Sequence, residues 1–221
     1  MEQSKKIIRA IDERYSSLSE TACCLSCGGA ADLSHACKGE ICMDIGSGQG
    51  ADVLKLATIV GETGFVYGID TSEAMLRRGR RTANKMGIEN VEFISSEFDS
   101  IPLEARTVDL AISNCSINHA PDKARVWEEI FRVLKPGGRF VVSDIYALKE
   151  VPAEYREDPD AVAQCWAGAV TRTEYLKTLE DTGFEGILIL EESRPYDKGK
   201  IEVASFTIAG KRPGACCCQR K

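Results

Sequence analysis

A glycine-rich segment between two apolar stretches constrains the fold of this chain more than any other feature. The segment reads Asp44-Ile45-Gly46-Ser47-Gly48-Gln49-Gly50. It follows the apolar run 40–45 and precedes a helix-like run that begins near Ala51. Glycines let the turn tighten and let a ligand approach backbone N–H groups, and the following helix offers its positive N-terminus. Strand, glycine turn and helix are typical of the first unit of a doubly wound α/β domain.

The carboxylate at the start of this turn indicates which ligand the turn accepts. Asp44 would repel a pyrophosphate, but it suits S-adenosylmethionine, which has no phosphate and carries an ammonium and a sulfonium. The sequence therefore favours S-adenosylmethionine, contacted by Asp44, Gly46, Ser47, Gly48 and Gly50. Because Ala51 can replace a third glycine, the dinucleotide fingerprint also fits, and a nicotinamide cofactor is the alternative.

Composition limits the remaining classes of protein. A chain of 221 residues with 43% hydrophobic residues is long enough for one well-buried domain, and its net charge of -6 makes nucleic acid an unfavourable partner. No apolar run approaches the roughly 20 residues of a membrane span, and segment 1–14 is too charged for a signal peptide. We expect a cytoplasmic protein without a membrane partner. There, ten cysteines indicate metal, redox or catalytic roles.

Strand-like and helix-like runs alternate after the glycine turn. Strands are predicted at 65–69, 91–95, 108–113 and 139–143, and helices at 72–86 and 123–134. A Lys-Pro-Gly-Gly turn is predicted at 135–138, just before the last of these strands. This alternation predicts a doubly wound, Rossmann-like α/β sheet, mainly parallel, with helices on both faces.

The flanking segments depart from this alternation. An amphipathic helix is predicted at 4–18, a cysteine-containing loop at 19–39, an insertion over the carboxyl edge of the sheet at 151–169, a helix at 173–182, and a closing strand pair at 186–190 and 203–209. We therefore divide the chain into four parts. They are an N-terminal helix with a Cys-rich loop (1–39), the cofactor-binding α/β core (40–149), a substrate lid with the strand pair (150–210), and a Cys-rich tail (211–221).

Five further residues are candidates for the cofactor site, because ligands of such sheets bind outside the carboxyl ends of the strands. Asp70 ends the second strand, where it can accept from both ribose hydroxyls or instead cap the next helix. Met75 can cover the adenine ring or belong to the core. Glu97 can accept from the adenine amino group and Phe98 can pack on the ring, although a solvated Glu97 is equally compatible. Asn114 lies where the strand order reverses.

Three cysteines from separate segments are predicted to converge at the same edge. Cys115 ends the fourth strand, Cys165 lies in the insertion, and Cys27 lies in the loop that enters the first strand. A buried cysteine in mid-strand is usually a small hydrophobe, but these positions favour a ligand role. Three thiolates suit a soft, thiophilic acceptor better than an oxygen or nitrogen atom.

The motifs between about Cys23 and Ala209 resemble the arsenite S-adenosylmethionine methyltransferase family. They are Cys-Gly-Gly at 27–29, Asp-Ile-Gly-Ser-Gly-Gln-Gly at 44–50, Ser-Asn-Cys-Ser-Ile-Asn at 113–118, Pro-Asp-Lys at 121–123, Leu-Lys-Pro-Gly-Gly at 134–138 and Gln-Cys-Trp-Ala-Gly-Ala at 164–169. Both glycine turns are generic to methyltransferases of this fold, whereas the Asn-Cys and Gln-Cys segments are specific.

The resemblance implies a class I S-adenosylmethionine-dependent methyltransferase. It implies that Cys27, Cys115 and Cys165 bind trivalent arsenic as thiolates, and that arsenite and methylated arsenicals are methylated by S-adenosylmethionine. A thiol reductant such as thioredoxin or glutathione would restore oxidised cysteines. Cys23 and Cys24 are candidates for a redox relay with a site cysteine. We expect a monomer.

Two residues depart from the family pattern. His119 stands where the family usually has an apolar residue, and Trp166 stands where a smaller aliphatic residue is common. Both could reshape the acceptor pocket. A general base at His119 is a weak hypothesis, because arsenic carries a lone pair and loses no proton. We expect His119 to face solvent in a loop.

The other cysteines leave alternatives open. Cys24, Cys27, Cys37 and Cys42 have acceptable spacing for zinc, but Cys42 lies in a predicted buried strand. The tail cysteines, 216–218, could deliver arsenite or scavenge soft metals.

Two other functions compete with the methylation of arsenic. One is a methyltransferase for an organic small molecule, in which the thiols are incidental. The other is a metalloid- or zinc-sequestering thiol protein on a methyltransferase scaffold.

Overall fold

The structure is a computed structural model that describes residues 6–7, 9–11, 13–14, 28–198 and 200–214. The described residues between 6 and 14 are helical, in agreement with the N-terminal helix predicted there, and Ile7 is buried. Cys23, Cys24, Cys27 and the tail cysteines, for which roles were predicted, lie outside the described residues. No helix in the described part of the chain is long and apolar enough to cross a membrane.

A mixed sheet forms the centre of the described molecule. Its strands are β1 (Ile41–Ile45), β2 (Phe65–Asp70), β3 (Val91–Ser95), β4 (Val108–Asn114), β5 (Leu134–Ala147), β6 (Glu185–Glu192), β7 (Tyr196–Asp197) and β8 (Glu202–Lys211). The strand order is β3-β2-β1-β4-β5-β8-β6, and β7 pairs with β8. Strands β1 to β5 are parallel, whereas β8 runs antiparallel to both of its main neighbours, β5 and β6. This topology confirms the predicted doubly wound fold.

Helices cover both faces of the sheet. They are α1 (Ala30–Leu33), α2 (Ala51–Val60), α3 (Glu73–Met86), α4 (Lys123–Val133), α5 (Ala153–Arg156), α6 (Pro159–Ala163) and α7 (Arg172–Thr182), with 3-10 turns at Ile117–His119 and Trp166–Gly168. The predicted helices at 72–86, 123–134 and 173–182 are thus present with ends shifted by one residue.

The core has one hydrophobic layer on each face of the sheet. Buried side chains of α4 and α7, such as Trp127 and Tyr175, pack around Phe140 on one face. On the other face, α2 and α3 pack side chains such as Leu56 and Leu76 against the sheet. Both faces of β1 are therefore buried, which explains why its residues other than Asp44 are apolar.

The Lys-Pro-Gly-Gly turn predicted at 135–138 is wrong, because these residues belong to the long strand β5. Leu134 already pairs with Val108 of β4. Arg212 then holds the glycines, since its N–H donates to the Gly138 carbonyl (2.8 Å) and its carbonyl accepts from the Gly137 N–H (3.0 Å). The partner that keeps the segment extended therefore comes from the far end of the chain.

Candidate active site

A cavity of about 550 Å³ opens at the carboxyl ends of β1, β2 and β4, where the strand order reverses. Most of the predicted site residues line it. They are Asp44, Gly46, Ser47, Gly48, Asp70, Met75, Glu97, Phe98, Asn114, Cys115 and Cys165. Segments far apart in sequence thus meet at the edge where such sheets bind ligands.

The glycine turn is shaped by two close approaches. Gly46 has a left-handed φ of 73°, and a β-carbon there would lie 1.9 Å from Ser116 Oγ. Gly50, at φ 81°, precedes α2, and a β-carbon there would lie 2.5 Å from the Phe93 ring. Gly50 is not among the residues that line the cavity. Its lack of a side chain instead leaves room for the Phe93 ring of β3 next to the start of α2.

Asp70 ties the turn to the next helix. Its Oδ2 accepts from the Gly48 N–H at 2.8 Å, and its Oδ1 accepts from the Ser72 N–H at 2.8 Å. Ser72 occupies the N-cap position of α3 without a capping bond from its own side chain. Asp70 therefore lines the cavity and binds the N–H of the N-cap residue of α3, but it is not itself the N-cap that its alternative interpretation made it.

Three carboxyl groups give this part of the cavity an acidic character. Asp44 is buried, and this burial, together with the charges of Asp52 and Asp70, raises its pKa well above the ordinary value. Burial also raises the pKa of Asp52, which lines the same cavity. A cation placed among these groups would relieve their repulsion and favour their ionised forms. Sequence reasoning missed Asp52, although an acid in the first turn after the glycines was a usable signal.

The residues predicted to surround an adenine ring all line the cavity. Met75 is almost fully buried at the start of α3, so it belongs to the core and to the cavity wall at once. Glu97 and Phe98 follow β3 and line the same cavity, and the Phe98 ring lies next to Gly46. Apolar side chains such as Met75 and Phe98 can pack on a flat heterocycle, and a carboxylate such as Glu97 can accept from its amino group.

Two of the three predicted site cysteines meet at the cavity wall. The Cys165 thiol donates to the Cys115 carbonyl at 2.7 Å, and the Cys115 N–H donates to the Ser143 carbonyl at 2.8 Å. Both residues have left-handed backbone conformations, with φ 52° at Cys115 and 76° at Cys165. Non-glycine residues seldom adopt such angles, and those that do cluster at functional sites.

His119 does not face solvent, and that expectation was wrong. Its side chain is buried, with Nδ1 3.1 Å from the Val162 carbonyl and Nε2 3.4 Å from Cys165 Sγ. Burial lowers the pKa of the imidazole to about 4. The ring is therefore neutral near pH 7, and because Nδ1 donates to a carbonyl, Nε2 carries the lone pair.

Trp166, the other residue that departs from the family pattern, is also buried and packs edge-on against Tyr155.

The insertion that carries Cys165 is fitted tightly to the sheet edge. Ala163, Gln164 and Cys165 line the cavity. A β-carbon at Gly168 would lie 1.9 Å from the Asn118 carbonyl oxygen, so a glycine is needed there.

Asn118 and Asp144 form a buried polar pair. The Asn118 amide donates to Asp144 Oδ1 at 2.7 Å, and burial raises the pKa of this carboxyl group to about 7. Burial also lowers the pKa of Lys123. Asn118 and Lys123 belong to motifs quoted in the sequence analysis, but their proximity to Asp144 was not predicted, because only the folded topology brings these residues together.

Cys42 does not suit the zinc set that the cysteine spacing allowed. Its side chain is fully buried in β1, and burial raises the pKa of its thiol to about 12. A thiol with such a pKa stays protonated at neutral pH and is a poor metal ligand.

The known proteins described here to which this chain is similar are methyltransferases. Residues 37–183 match a family model described as a methyltransferase domain. The arsenite methyltransferase of Halobacterium salinarum is 38% identical over 199 residues, which are 86% of this chain and 51% of that protein. The ubiquinone/menaquinone biosynthesis C-methyltransferase UbiE of Escherichia coli is 34% identical over 112 residues, which are 50% of this chain and 45% of that protein.

A solved structure resembles nearly the whole chain. CrArsM, an arsenic(III) S-adenosylmethionine methyltransferase from Chlamydomonas reinhardtii, superposes with a TM-score of 0.77 at 29% identity, over 95% of this chain and 74% of that one. The chain spans about half the length of the curated relatives described above.

Proposed function

Because the chain belongs to the methyltransferase domain family, in which its relatives include arsenite methyltransferases, we propose that it methylates trivalent arsenic with S-adenosylmethionine. The observation that carries the proposal is the contact between Cys165 and Cys115 at the wall of an acidic cavity. The acids suit the cofactor's positive charges, and the thiols suit a thiophilic acceptor.

The chemistry of the cavity wall fits the cofactor. Asp44 and Asp52 would face its ammonium and sulfonium charges, and Asp70 would accept from the ribose hydroxyls. Met75 and Phe98 would enclose the adenine ring, with Glu97 at the amino group. Gly46, Ser47 and Gly48 let the backbone approach. When bound, S-adenosylmethionine supplies an electrophilic methyl group.

The thiols prepare the acceptor. Each thiol that binds arsenite replaces one hydroxyl, which leaves as water with the thiol proton, so that three cysteines give a pyramidal trithiolate. Cys115 and Cys165 supply two of these ligands and Cys27 the third. Arsenic keeps its lone pair, and fixing that lone pair toward the methyl group can lower the barrier by roughly 7 to 11 kcal/mol. Segment 151–169 excludes water as a lid.

Methylation oxidises arsenic, so turnover needs an electron donor. We assign this role to a thiol reductant such as thioredoxin or glutathione, with Cys23 and Cys24 as relay candidates. The substrates are arsenite and methylated arsenicals, and the protein acts as a cytoplasmic monomer.

The test combines a product assay with matched cysteine variants. Purified protein is given arsenite, labelled S-adenosylmethionine and a thiol, and the products are separated by chromatography. Cys115→Ser and Cys165→Ser should abolish methylation while calorimetry still detects cofactor binding. Cys37→Ser is the control, because this exposed thiol is not among the residues that line the cavity.

Each rival function predicts a different result. Methylation at the parental rate by the Cys165→Ser protein would contradict the arsenic assignment and favour an organic acceptor. A protein that binds arsenite but shows no calorimetric response to S-adenosylmethionine would instead be a sequestering protein.

A further inference from the structure

A second cavity, of about 530 Å³, lies beside the candidate active site. Most of its wall comes from strands β5, β6, β7 and β8, which contribute little to the cofactor cavity. Three residues, Cys115, Ile145 and Tyr196, line both cavities. The two cavities therefore adjoin at the cysteine that ends the fourth strand.

The second cavity is acidic. The charged residues that line it, among those that the structure describes, are Asp144, Glu191 and Glu192. Arg172 Nε donates to Glu192 at 2.9 Å and the Tyr146 hydroxyl donates to it at 2.8 Å. Within the described part of the chain, no cation pairs with Glu191. The negative potential of these carboxylates disfavours anions and leaves uncharged molecules free to enter.

The wall also offers groups that can bind hydroxyls. Ser143 Oγ and Thr207 Oγ1 lie 2.8 Å apart, and both side chains are buried. Asp144 is only 1% exposed, and its Oδ2 has no hydrogen-bond partner among the described residues. A buried polar atom without a partner is costly, so its presence in a cavity wall indicates a polar guest. The cavity thus suits a small molecule that carries hydroxyl groups.

Methyl transfer itself requires two directions of approach. The lone pair of the acceptor attacks the methyl carbon on the side opposite to the departing sulfur, so cofactor and acceptor lie on opposite sides of the transferred group. A bound cofactor fills the first cavity. Because Cys115 belongs to both walls, an acceptor that arrives through the second cavity can reach this residue while the first cavity is occupied.

We propose that the second cavity is the acceptor passage, which delivers uncharged trivalent arsenic hydroxides to Cys115 while the cofactor is bound and keeps arsenic oxyanions out. The inference rests on the proposed function, because it takes arsenic as the acceptor.

Charge gives the passage its selectivity. Trivalent arsenic hydroxides are uncharged near neutral pH, whereas arsenate and methylarsonate are anions that the carboxylates repel. At the end of the passage an arsenic–sulfur bond to Cys115 forms and an arsenic–oxygen bond breaks. The hydroxyl leaves as water with the thiol proton, and arsenic stays trivalent in this step.

Access to Cys115 can be measured without arsenic. Bromoacetamide and bromoacetate alkylate thiols, have nearly the same size and differ by one negative charge. The reduced full chain is saturated with sinefungin, an uncleavable analogue of the cofactor whose binding is checked by calorimetry. Alkylation of Cys115 is then followed by peptide mass spectrometry. Exposed Cys37, which is not among the residues that line either cavity, is the internal reference.

Two results are expected for the wild-type protein. Bromoacetamide should alkylate Cys115 in the sinefungin complex at no less than about half its rate in the free protein, because the second cavity stays open. The rate ratio of bromoacetate to bromoacetamide should be at least about five-fold lower at Cys115 than at Cys37, because the wall carries negative charge.

A large side chain tests the route. Ser205→Trp places an indole in the second cavity and should slow alkylation of Cys115 in the sinefungin complex at least about five-fold. Ser193→Trp does the same from an exposed position and replaces it if that protein folds poorly. The matched control is Leu188→Trp, because exposed Leu188 of β6 is not among the lining residues of either cavity. The control should keep the wild-type rate.

A charge reversal tests the selectivity. Glu191→Lys should raise the ratio of bromoacetate to bromoacetamide at Cys115 by about three-fold, since two units of charge change next to the route. Glu185→Lys is its control, because Glu185 lies at the other end of β6 and is not among the residues that line the cavity.

Arsenite kinetics connect the route to the substrate. Ser205→Trp should raise the KM for arsenite at least about five-fold and leave the affinity for sinefungin unchanged, because only the acceptor uses the second cavity. Leu188→Trp should keep the wild-type KM.

The outcomes separate this inference from the proposed function. If arsenite is methylated but sinefungin fully protects Cys115, or if Ser205→Trp and Ser193→Trp keep the wild-type alkylation rate and KM, the passage is wrong and the proposed function stands. If bromoacetate reaches Cys115 as readily as it reaches Cys37, the selectivity for uncharged species is wrong. If the wild-type protein does not methylate arsenite, the proposed function fails and this inference fails with it.

Discussion

At the scale of single residues, position in a strand indicated better than residue type did which cysteine lines the cavity. Cys115 follows the last residues of β4 and Cys42 lies inside β1, and one lines the cavity while the other is buried with a raised thiol pKa. In sheets of this kind ligands bind outside the carboxyl ends of the parallel strands. The sequence shows where each strand ends, so it also shows which residues come at that edge. The left-handed backbone at Cys115 and Cys165 could not be predicted, because tertiary contacts impose it.

The location of His119 also depended on tertiary contacts. The residue lies in a connection between β4 and α4, and such connections are usually exposed. Its burial results from the segment around Val162 and Cys165, which lies about forty residues away in sequence and packs over it. No local pattern around His119 contains that information.

Protonation of buried His119 should make stability depend on pH. The folded pKa of about 4 lies below the unfolded value of 6.5. The unfolded chain therefore binds the proton first, and the contribution to stability falls as the pH drops from 6.5 toward 4. Between pH 7 and pH 5 the wild-type protein should lose about 2 kcal/mol more than His119→Leu does. Denaturant unfolding at both pH values measures this difference. Asp144, whose pKa is raised to about 7, also titrates in this range, but it is present in both proteins and its contribution cancels. Equal losses would contradict the burial of a neutral ring.

Cofactor binding should release protons. Raised pKa values at Asp44 and Asp52 mean that these groups hold protons at a higher pH than ordinary carboxyl groups do. A bound cation favours their ionised forms, so the affinity for S-adenosylmethionine should fall as the pH is lowered. Calorimetry in two buffers with different ionisation enthalpies counts the released protons, and Asp44→Asn should release fewer. An identical heat in both buffers at every pH would contradict this prediction.

At the scale of elements, the strands of the parallel core were predictable because their apolar runs are bounded by turn residues. Strands β1 to β4 lie within one residue of the predicted bounds. Strand β5 was predicted too short, since its first residues stay extended by pairing with the region of Arg212. The closing pair, β6 and β8, was predicted, but the antiparallel pairing of β8 with β5 was not.

The fit of the 3-10 turn at 166–168 against the preceding 3-10 turn gives a packing prediction. Gly168→Ala would force a β-carbon onto the Asn118 carbonyl oxygen. We expect a loss of roughly 1 to 3 kcal/mol in the free energy of unfolding, and a higher arsenite KM because Cys165 shifts. Gly214→Ala is the matched control, since a β-carbon there meets nothing within 4 Å.

Denaturant unfolding and the methylation assay measure the two effects separately. Wild-type stability together with wild-type KM in Gly168→Ala would contradict the tight fit between the two 3-10 turns.

At the scale of the whole molecule, the sequence was sufficient to predict the fold class and the edge of the sheet at which the cavity opens. The family resemblance stated from the motifs is confirmed. The links between the parts of the cavity were not predictable. Hydrogen bonds of the Asn114 side chain with Asp52 and with the Ala30 N–H join three segments, and the sequence pattern of any one segment gives no sign of the other two.

A ligand that bridges several elements should stabilise the whole fold. The cavity wall draws on β1, α2, β2, α3 and β4. At 100 times its dissociation constant, S-adenosylmethionine should add about 2.7 kcal/mol of stability, which corresponds to a rise in Tm of roughly 5 to 10 °C for a chain of this size. Scanning calorimetry measures the shift, and Asp44→Asn should reduce it. No shift at saturating cofactor would contradict the assignment of the cavity.

The contrast between Cys37 and Cys42 has a practical consequence for chemical probing. A maleimide or iodoacetamide reagent attacks a thiolate, so it should modify exposed Cys37 readily and leave Cys42 untouched in the native protein. Mass spectrometry after a short pulse of reagent would then report Cys42 as a marker of unfolding and Cys37 as a constant background. With Cys37 replaced by serine, the loss of labelling when arsenite is added would report directly on the thiols that the metalloid protects.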